Sequence, residues 1–148
     1  MTTMPKPTSI TADRKKAELT IVWEDGHESV YSFSLLRHAC PCAECAGGHE
    51  NMRRDPDPVV FYLPTEDSPR THIKAIDPVG NYGINIIWED GHHYGIYNWG
   101  YLRKLCPCEV CQREREAKGL VPDEETIARE IERRMNPPKP QLKMEFKL

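Results

Sequence analysis

No stretch of this 148-residue chain is apolar over the about 20 residues that a bilayer-spanning helix needs, so a transmembrane span is not expected. The opening segment, MTTMPKPTSITADRKK, has no apolar stretch of the kind a secretory signal requires. An excess of positive charge is missing too. The net charge is −3 and the pI is near 6.1, which argues against a nucleic-acid binder and against a polybasic membrane-surface binder. Glycine is scarcer than proline, 9 against 13, so turns and loops should take up much of the chain. The length suits one domain, and 39% apolar residues suit a modest core. A cytoplasmic location is expected. In that reducing compartment the six cysteines read as metal ligands or redox groups rather than disulfides.

The chain does contain an internal repeat. LTIVWEDGHESVYSFSLLRHACPCAEC spans residues 19–45, and INIIWEDGHHYGIYNWGYLRKLCPCEVC spans residues 84–111. Trp23 and Trp88 are 65 residues apart, whereas Cys40 and Cys106 are 66 apart, so the second copy carries one extra residue after His92. Matching pairs include Tyr31 with Tyr97, Leu36 with Leu102, Arg37 with Arg103 and three pairs of cysteines. Each copy reads as a hairpin followed by a short helix. Leu19, Ile21 and Trp23 alternate with polar or smaller residues at a strand period, as do Ile84, Ile86 and Trp88. Asp25-Gly26 and Asp90-Gly91 predict two-residue hairpin turns. Ser34 is expected to cap a short helix over 35–37, and residues 99–105 to repeat it.

Between the copies, residues 59–63 read as a short edge strand and 71–76 as another strand. Residues 112–118 are charged and read as helical. The clearest helix is 123–135, with Asp123 as N-cap, acidic residues in the first turn, Arg133 and Arg134 in the last, and an apolar stripe at Ile127, Ile131 and Met135. The expected fold class is α+β in two layers. Antiparallel hairpins from the repeat form a sheet, short helices cover it, and a C-terminal helix packs at the edge. The expected organisation is a flexible N-terminus over 1–15, a duplicated metal-binding domain over 16–118, the C-terminal helix over 119–136 and a tail over 137–148.

The chemistry rests in two C-P-C-x-x-C clusters, Cys40, Cys42 and Cys45 and then Cys106, Cys108 and Cys111. Three thiols within six residues repel one another when ionised, and a bound cation removes that repulsion. Structural zinc fills four tetrahedral positions with Cys and His, so each triad lacks one donor. His27 and His92 occupy matching places just past the hairpin turns. Each could close a site within its own copy or across to the other, and spacing does not choose. A reduced thiol cluster without metal and a disulfide relay are the alternatives. Asp25 and Asp90 read as turn formers, Trp23, Trp88 and Trp99 as core, and Arg37 and Arg103 as surface or capping residues.

These motifs resemble a known family. W-x-D-G, a tyrosine, L-R and C-P-C-x-x-C, followed by Ile76-Asp77-Pro78-Val79-Gly80-Asn81-Tyr82 and the second W-E-D-G-H, are similar to the gamma-butyrobetaine hydroxylase-like N-terminal domain over about residues 10–106. The resemblance implies one structural zinc on Cys40, Cys42, Cys45 and His92, which selects the crossed arrangement. The repeat then suggests a mirror site on Cys106, Cys108, Cys111 and His27, although a full second triad departs from the family's usual pattern. The family's hydroxylases carry a separate iron-binding catalytic domain, and no H-x-D, H-x-E or phosphate-binding G-x-x-x-x-G-K-[ST] occurs here. The expectation is therefore a small non-catalytic zinc protein with one or two ions per chain that serves a protein partner or its own oligomerisation. Related domains are fused to ATPases that handle iron–sulfur clusters, so a cluster carrier or assembly accessory protein is the alternative.

Overall fold

Period-two burial builds the central strands. β2 (Glu18–Trp23) buries Leu19, Ile21 and Trp23, and β5 (Gly83–Trp88) buries Ile84, Ile86 and Trp88, while the residues between them are only half-buried. A computed structural model describes residues 5–42, 55–93 and 95–135. Cys45, the 137–148 tail and residues 1–4 lie outside the described residues.

Strands β1 (Pro7–Asp13), β2 and β3 (Glu28–Ser32) form one antiparallel sheet in the order β1-β2-β3. Strands β4 (Ile73–Val79), β5 and β6 (Ile96–Asn98) form a second in the order β4-β5-β6. The hairpins thus belong to two three-stranded sheets rather than one. Each central strand already has a partner on both edges, and a single hydrophobic cluster joins the two halves.

Pro7–Asp13 is a strand where the sequence suggests a flexible N-terminus. It buries neither face, so no hydrophobic period reveals it; ladder hydrogen bonds along the free edge of β2 hold it. It is the counterpart of β4. Both strands break register one residue in, between Pro7 and Ser9 opposite Trp23, and between Ile73 and Ala75 opposite Trp88.

The hairpin turns differ from the expected form. Among the described residues Ala17 is the one non-glycine with positive φ, so Asp25 and Asp90 do not adopt it. Gly26 and Gly91 do, at +84° and +93°. The backbone N–H of Trp23 donates to the His27 carbonyl at 2.8 Å, and that of Trp88 to the His92 carbonyl at 2.9 Å. Each loop is therefore three residues closed by a left-handed glycine.

Helix α1 (Phe33–His38) is capped by Ser32, whose Oγ accepts the Leu35 N–H at 3.0 Å. Ser34, the expected cap, is buried inside the helix and accepts the Glu66 N–H at 2.9 Å. Helix α2 (Trp99–Lys104) is capped by Asn98. Pro58–Tyr62 is a 3₁₀ turn, not a strand. Pro58 fixes the first position, Asp57 accepts the Val59 N–H, and consecutive Val59 and Val60 are both buried. Helices α3 (Glu109–Ala117) and α4 (Glu124–Met135) follow, with Asp123 Oδ1 accepting the Thr126 N–H at 2.7 Å. Helix α4 reaches the core through Ile127, and Arg134 donates to His38 Nδ1 at 3.2 Å. Burial lowers the pKa of His38, which keeps the ring neutral and able to accept. None of the described helices is long and apolar enough to cross a membrane.

Tyrosines clamp the halves together. Six-residue helices leave their last carbonyls without partners inside the helix. Tyr97 donates to the Leu36 carbonyl at 2.6 Å and Tyr101 to the Ala39 carbonyl at 2.5 Å, both at the end of α1. Tyr31 returns the contact to the Leu102 carbonyl in α2. All three rings are buried. Tyr97→Phe strands a buried acceptor and is expected to cost about 1–3 kcal/mol. Urea denaturation checks this as a lower midpoint at unchanged slope.

Candidate metal centres

The three-residue turns present His27 and His92 toward the opposite half. Asp25 Oδ1 accepts the His27 backbone N–H at 3.2 Å, and Asp90 Oδ1 does the same for His92. Each imidazole then meets the cysteines of the other copy. His27 Nε2 lies 3.3 Å from Cys106 Sγ, 3.7 Å from Cys108 Sγ and 3.6 Å from Cys111 Sγ. His92 Nε2 lies 3.4 Å from Cys40 Sγ and 3.5 Å from Cys42 Sγ. Within each group all donor atoms fall within 4.8 Å of one another. Seven of the eight residues read from the sequence are brought together in this way; the eighth, Cys45, lies outside the described residues.

The spacing fits a single coordinated ion. A tetrahedral zinc with Zn–S about 2.3 Å and Zn–N about 2.0–2.1 Å separates nitrogen from sulfur by about 3.6 Å. The five observed separations, 3.3–3.7 Å, bracket that value. Soft thiolate and borderline imidazole donors suit zinc or another late transition ion.

Electrostatics in the second group explain why a cation is wanted. Burial pushes the Cys111 thiol up to about 12, and Cys108 and Cys106 beside it push in the same direction. Cys106 is raised by burial as well. Burial also opposes ionisation of Cys108, but the Cys111 N–H, donating to its Sγ at 3.5 Å, helps to bring that thiol below its ordinary value. Cys108 thereby also caps α3. Three adjacent thiols cannot all ionise without a positive charge among them. Cys106, Cys108 and Cys111 are not joined in disulfides.

A second layer of residues supports each histidine. Arg103 grips Asp25 with both terminal nitrogens, at 3.1 and 2.7 Å, and its guanidinium stands 5.4 Å from the centre of the Trp23 ring. Arg37 donates to Asp90 at 3.1 Å and to the Arg70 carbonyl at 3.3 Å, 5.6 Å from the Trp88 ring. The arginine of each copy thus fixes the turn that carries the histidine of the other. Arg103 holds Asp25 at about 2, well below the usual carboxylate range. Burial raises the Asp90 carboxyl, but the Arg37 and His92 N–H hydrogen bonds and the nearby positive charge together hold it below its ordinary value. Both arginines were missed as site residues because they read as surface. Arg37 is in fact buried, and Arg103 is largely covered. The repeated Leu-Arg pair 66 residues apart was the available signal.

The described residues of the two halves differ where strand meets sulfur. Ser29 is fully buried and accepts the Trp23 Nε1–H at 3.0 Å beside the second group. Gly95 comes up against the first: a Cβ there would stand 2.6 Å from Cys40 Sγ.

Fold and site define a small α+β protein of two matched halves, each lending a histidine to the other's cysteines. The chain belongs to the family described as gamma-butyrobetaine hydroxylase-like, N-terminal, which it matches over residues 10–103. That match ends before Cys106, so the second triad lies beyond it. A structure solved by NMR in solution is 27% identical, with 100% of this chain and 98% of that chain covered and a TM-score of 0.58. A crystal structure of a protein of unknown function of the DUF971 family, from Acidithiobacillus ferrooxidans, is 26% identical over 68% of this chain and 91% of that one, with a TM-score of 0.49. No curated protein gives a significant match.

Proposed function

We propose that the protein is a non-catalytic zinc protein of a reducing cytoplasm, in which crossed Cys3His centres staple two similar halves and steady a surface for a protein partner or a second copy. The observation that carries this reading is the 3.3–3.7 Å spacing of each imidazole nitrogen from the sulfurs of the opposite copy. Four donors around one ion leave no position for an activated water, so hydrolytic chemistry is not part of the reading. Convergence on one point also favours a single ion over an iron–sulfur cluster, whose several irons hold their protein ligands farther apart.

Metal analysis of protein purified anaerobically without added metal tests the reading. The expected result is two zinc per chain in a colourless protein, falling to one in Cys108→Ser. A brown protein containing iron and sulfide would replace zinc with a cluster. Protein that holds no metal tightly would remove the proposal.

A further inference from the structure

The described sulfurs of the two centres differ in how well they are covered. Cys40 and Cys42 are each 5% exposed. In the second group Cys106 is fully buried, but Cys108 and Cys111 are half-buried. Cys111 and His27 also form part of the wall of a cleft of about 750 Å³. Phe61 lies in that wall, with the Arg115 guanidinium stacked 3.7 Å from its ring centre. Arg115 in turn donates to the Cys106 carbonyl at 2.8 Å, so the cleft wall and the triad loop are tied together. Val110 and Leu120, both exposed, add apolar sides, and the wall carries charges of both signs, Lys118 with Asp55, Asp57 and Glu114 among them.

A four-coordinate ion exchanges when an incoming donor reaches it before a resident donor has left, passing through five-coordination. The incoming donor therefore needs an open approach to the ion. The edge between His27 and Cys111 offers one. Cys40 and Cys42, the described sulfurs of the first group, do not, because they are enclosed. A donor able to compete with thiolates for a soft site must itself be soft, and the cleft's volume falls within the roughly 300–1,000 Å³ typical of small-molecule sites.

We propose that the second centre is the exchangeable one, and that the cleft admits a small thiol that draws zinc off through the His27–Cys111 edge. The step is ligand exchange without redox change. Each incoming thiol loses its proton and forms a metal–sulfur bond; a resident metal–ligand bond breaks, the vacated donor takes up a proton, and the exchange repeats until no protein donor holds the ion. The inference rests on the zinc reading above.

The test mixes zinc-loaded protein with excess glutathione and a chromogenic zinc indicator, following release over time. One equivalent is expected to leave at least tenfold faster than the other. Cys108→Ser, holding one equivalent, should show only the slow phase. Leu120→Trp should still bind two equivalents but slow the fast phase several-fold, because the indole fills the cleft. S-methylglutathione should not accelerate release. A cysteine-bearing decapeptide that matches glutathione would extend the donor from free thiols to protein thiols. Both equivalents leaving in one phase, a fast phase surviving in Cys108→Ser, or a fast phase unmoved by Leu120→Trp would overturn the inference. Protein that binds no zinc at all would instead overturn the reading beneath it.

Discussion

Stripping metal from this protein with a strong chelator is expected to abolish its cooperative thermal transition, not merely to lower it by a few degrees. Structural zinc in small domains supplies about 10–16 kcal/mol of apparent binding energy near neutral pH, and that energy is folding energy where the site does not pre-exist in the unfolded chain. Whole domains are stable by only about 5–15 kcal/mol. The donors here are far apart in sequence: His27 and Cys106 are separated by 79 residues, His92 and Cys40 by 52. Each ion would therefore close a long loop as well as neutralise a triad. Without it, the second group keeps three crowded thiols, two of them held protonated by burial. Differential scanning calorimetry with and without chelator checks this, and restoring zinc should restore the transition.

Acid should reach the same end in two stages. Protons compete with metal for thiolates and imidazole, so metal loss comes first as pH falls. Asp25 titrates later. Its folded pKa is about 2, below the unfolded value near 3.9, so its contribution is complete above about pH 4 and is lost as pH falls toward 2. The sign for Asp90 is the same, because its carboxyl is also held low. Zinc release followed by indicator, set beside circular dichroism over pH 7 to 2, should show release preceding the final loss of structure.

Local signals in the sequence pointed to local elements. Alternation at Leu19, Ile21 and Trp23 and at Ile84, Ile86 and Trp88 marked the central strands, and Asp-Gly marked the turns. The cysteine and histidine donors were legible because their chemistry is tied to residue type. Two other kinds of feature were hidden. Strand β1 has no buried face, so the hydrophobic pattern that marks a strand is absent, and only its matched position to β4 would have exposed it. Residues 59–63 show an apolar run that suits a strand, but Pro58 and the Asp57 cap turn the chain into a 3₁₀ helix over Pro58–Tyr62. The roles of Arg37 and Arg103 depend on partners 53 and 78 residues away, and no spacing rule reaches that far. The crossed pairing of histidine with triad was likewise open on spacing alone. The resemblance pointed to it, and the geometry shows His27 and His92 each reaching the opposite half.

Arg37→Ala should be among the most damaging substitutions outside the metal ligands, and more damaging than the same change at its counterpart Arg103. Removing one member of a buried ion pair typically costs about 3–5 kcal/mol, because the other charge is left without its partner in a poorly solvated place. Arg37 has an 8% exposed side chain, and it also ties down the Arg70 carbonyl and covers the buried Trp88. Asp90 is 26% exposed and recovers some hydration, which places the expected loss near the lower end, about 3 kcal/mol. In a chain of this size that corresponds to a midpoint lower by roughly 10 °C. The Arg103–Asp25 pair is 22% and 44% exposed, so water screens it and Arg103→Ala should cost clearly less than Arg37→Ala. The metal readout separates this from a general loss of packing. Asp90 holds the His92 N–H and Asp25 holds the His27 N–H, so Arg37→Ala should weaken zinc at Cys40 and Cys42 and leave Cys106, Cys108 and Cys111 loaded. Arg103→Ala should do the reverse. Equal losses of both equivalents from either variant would mean that the arginines brace the whole fold and do not each position one histidine.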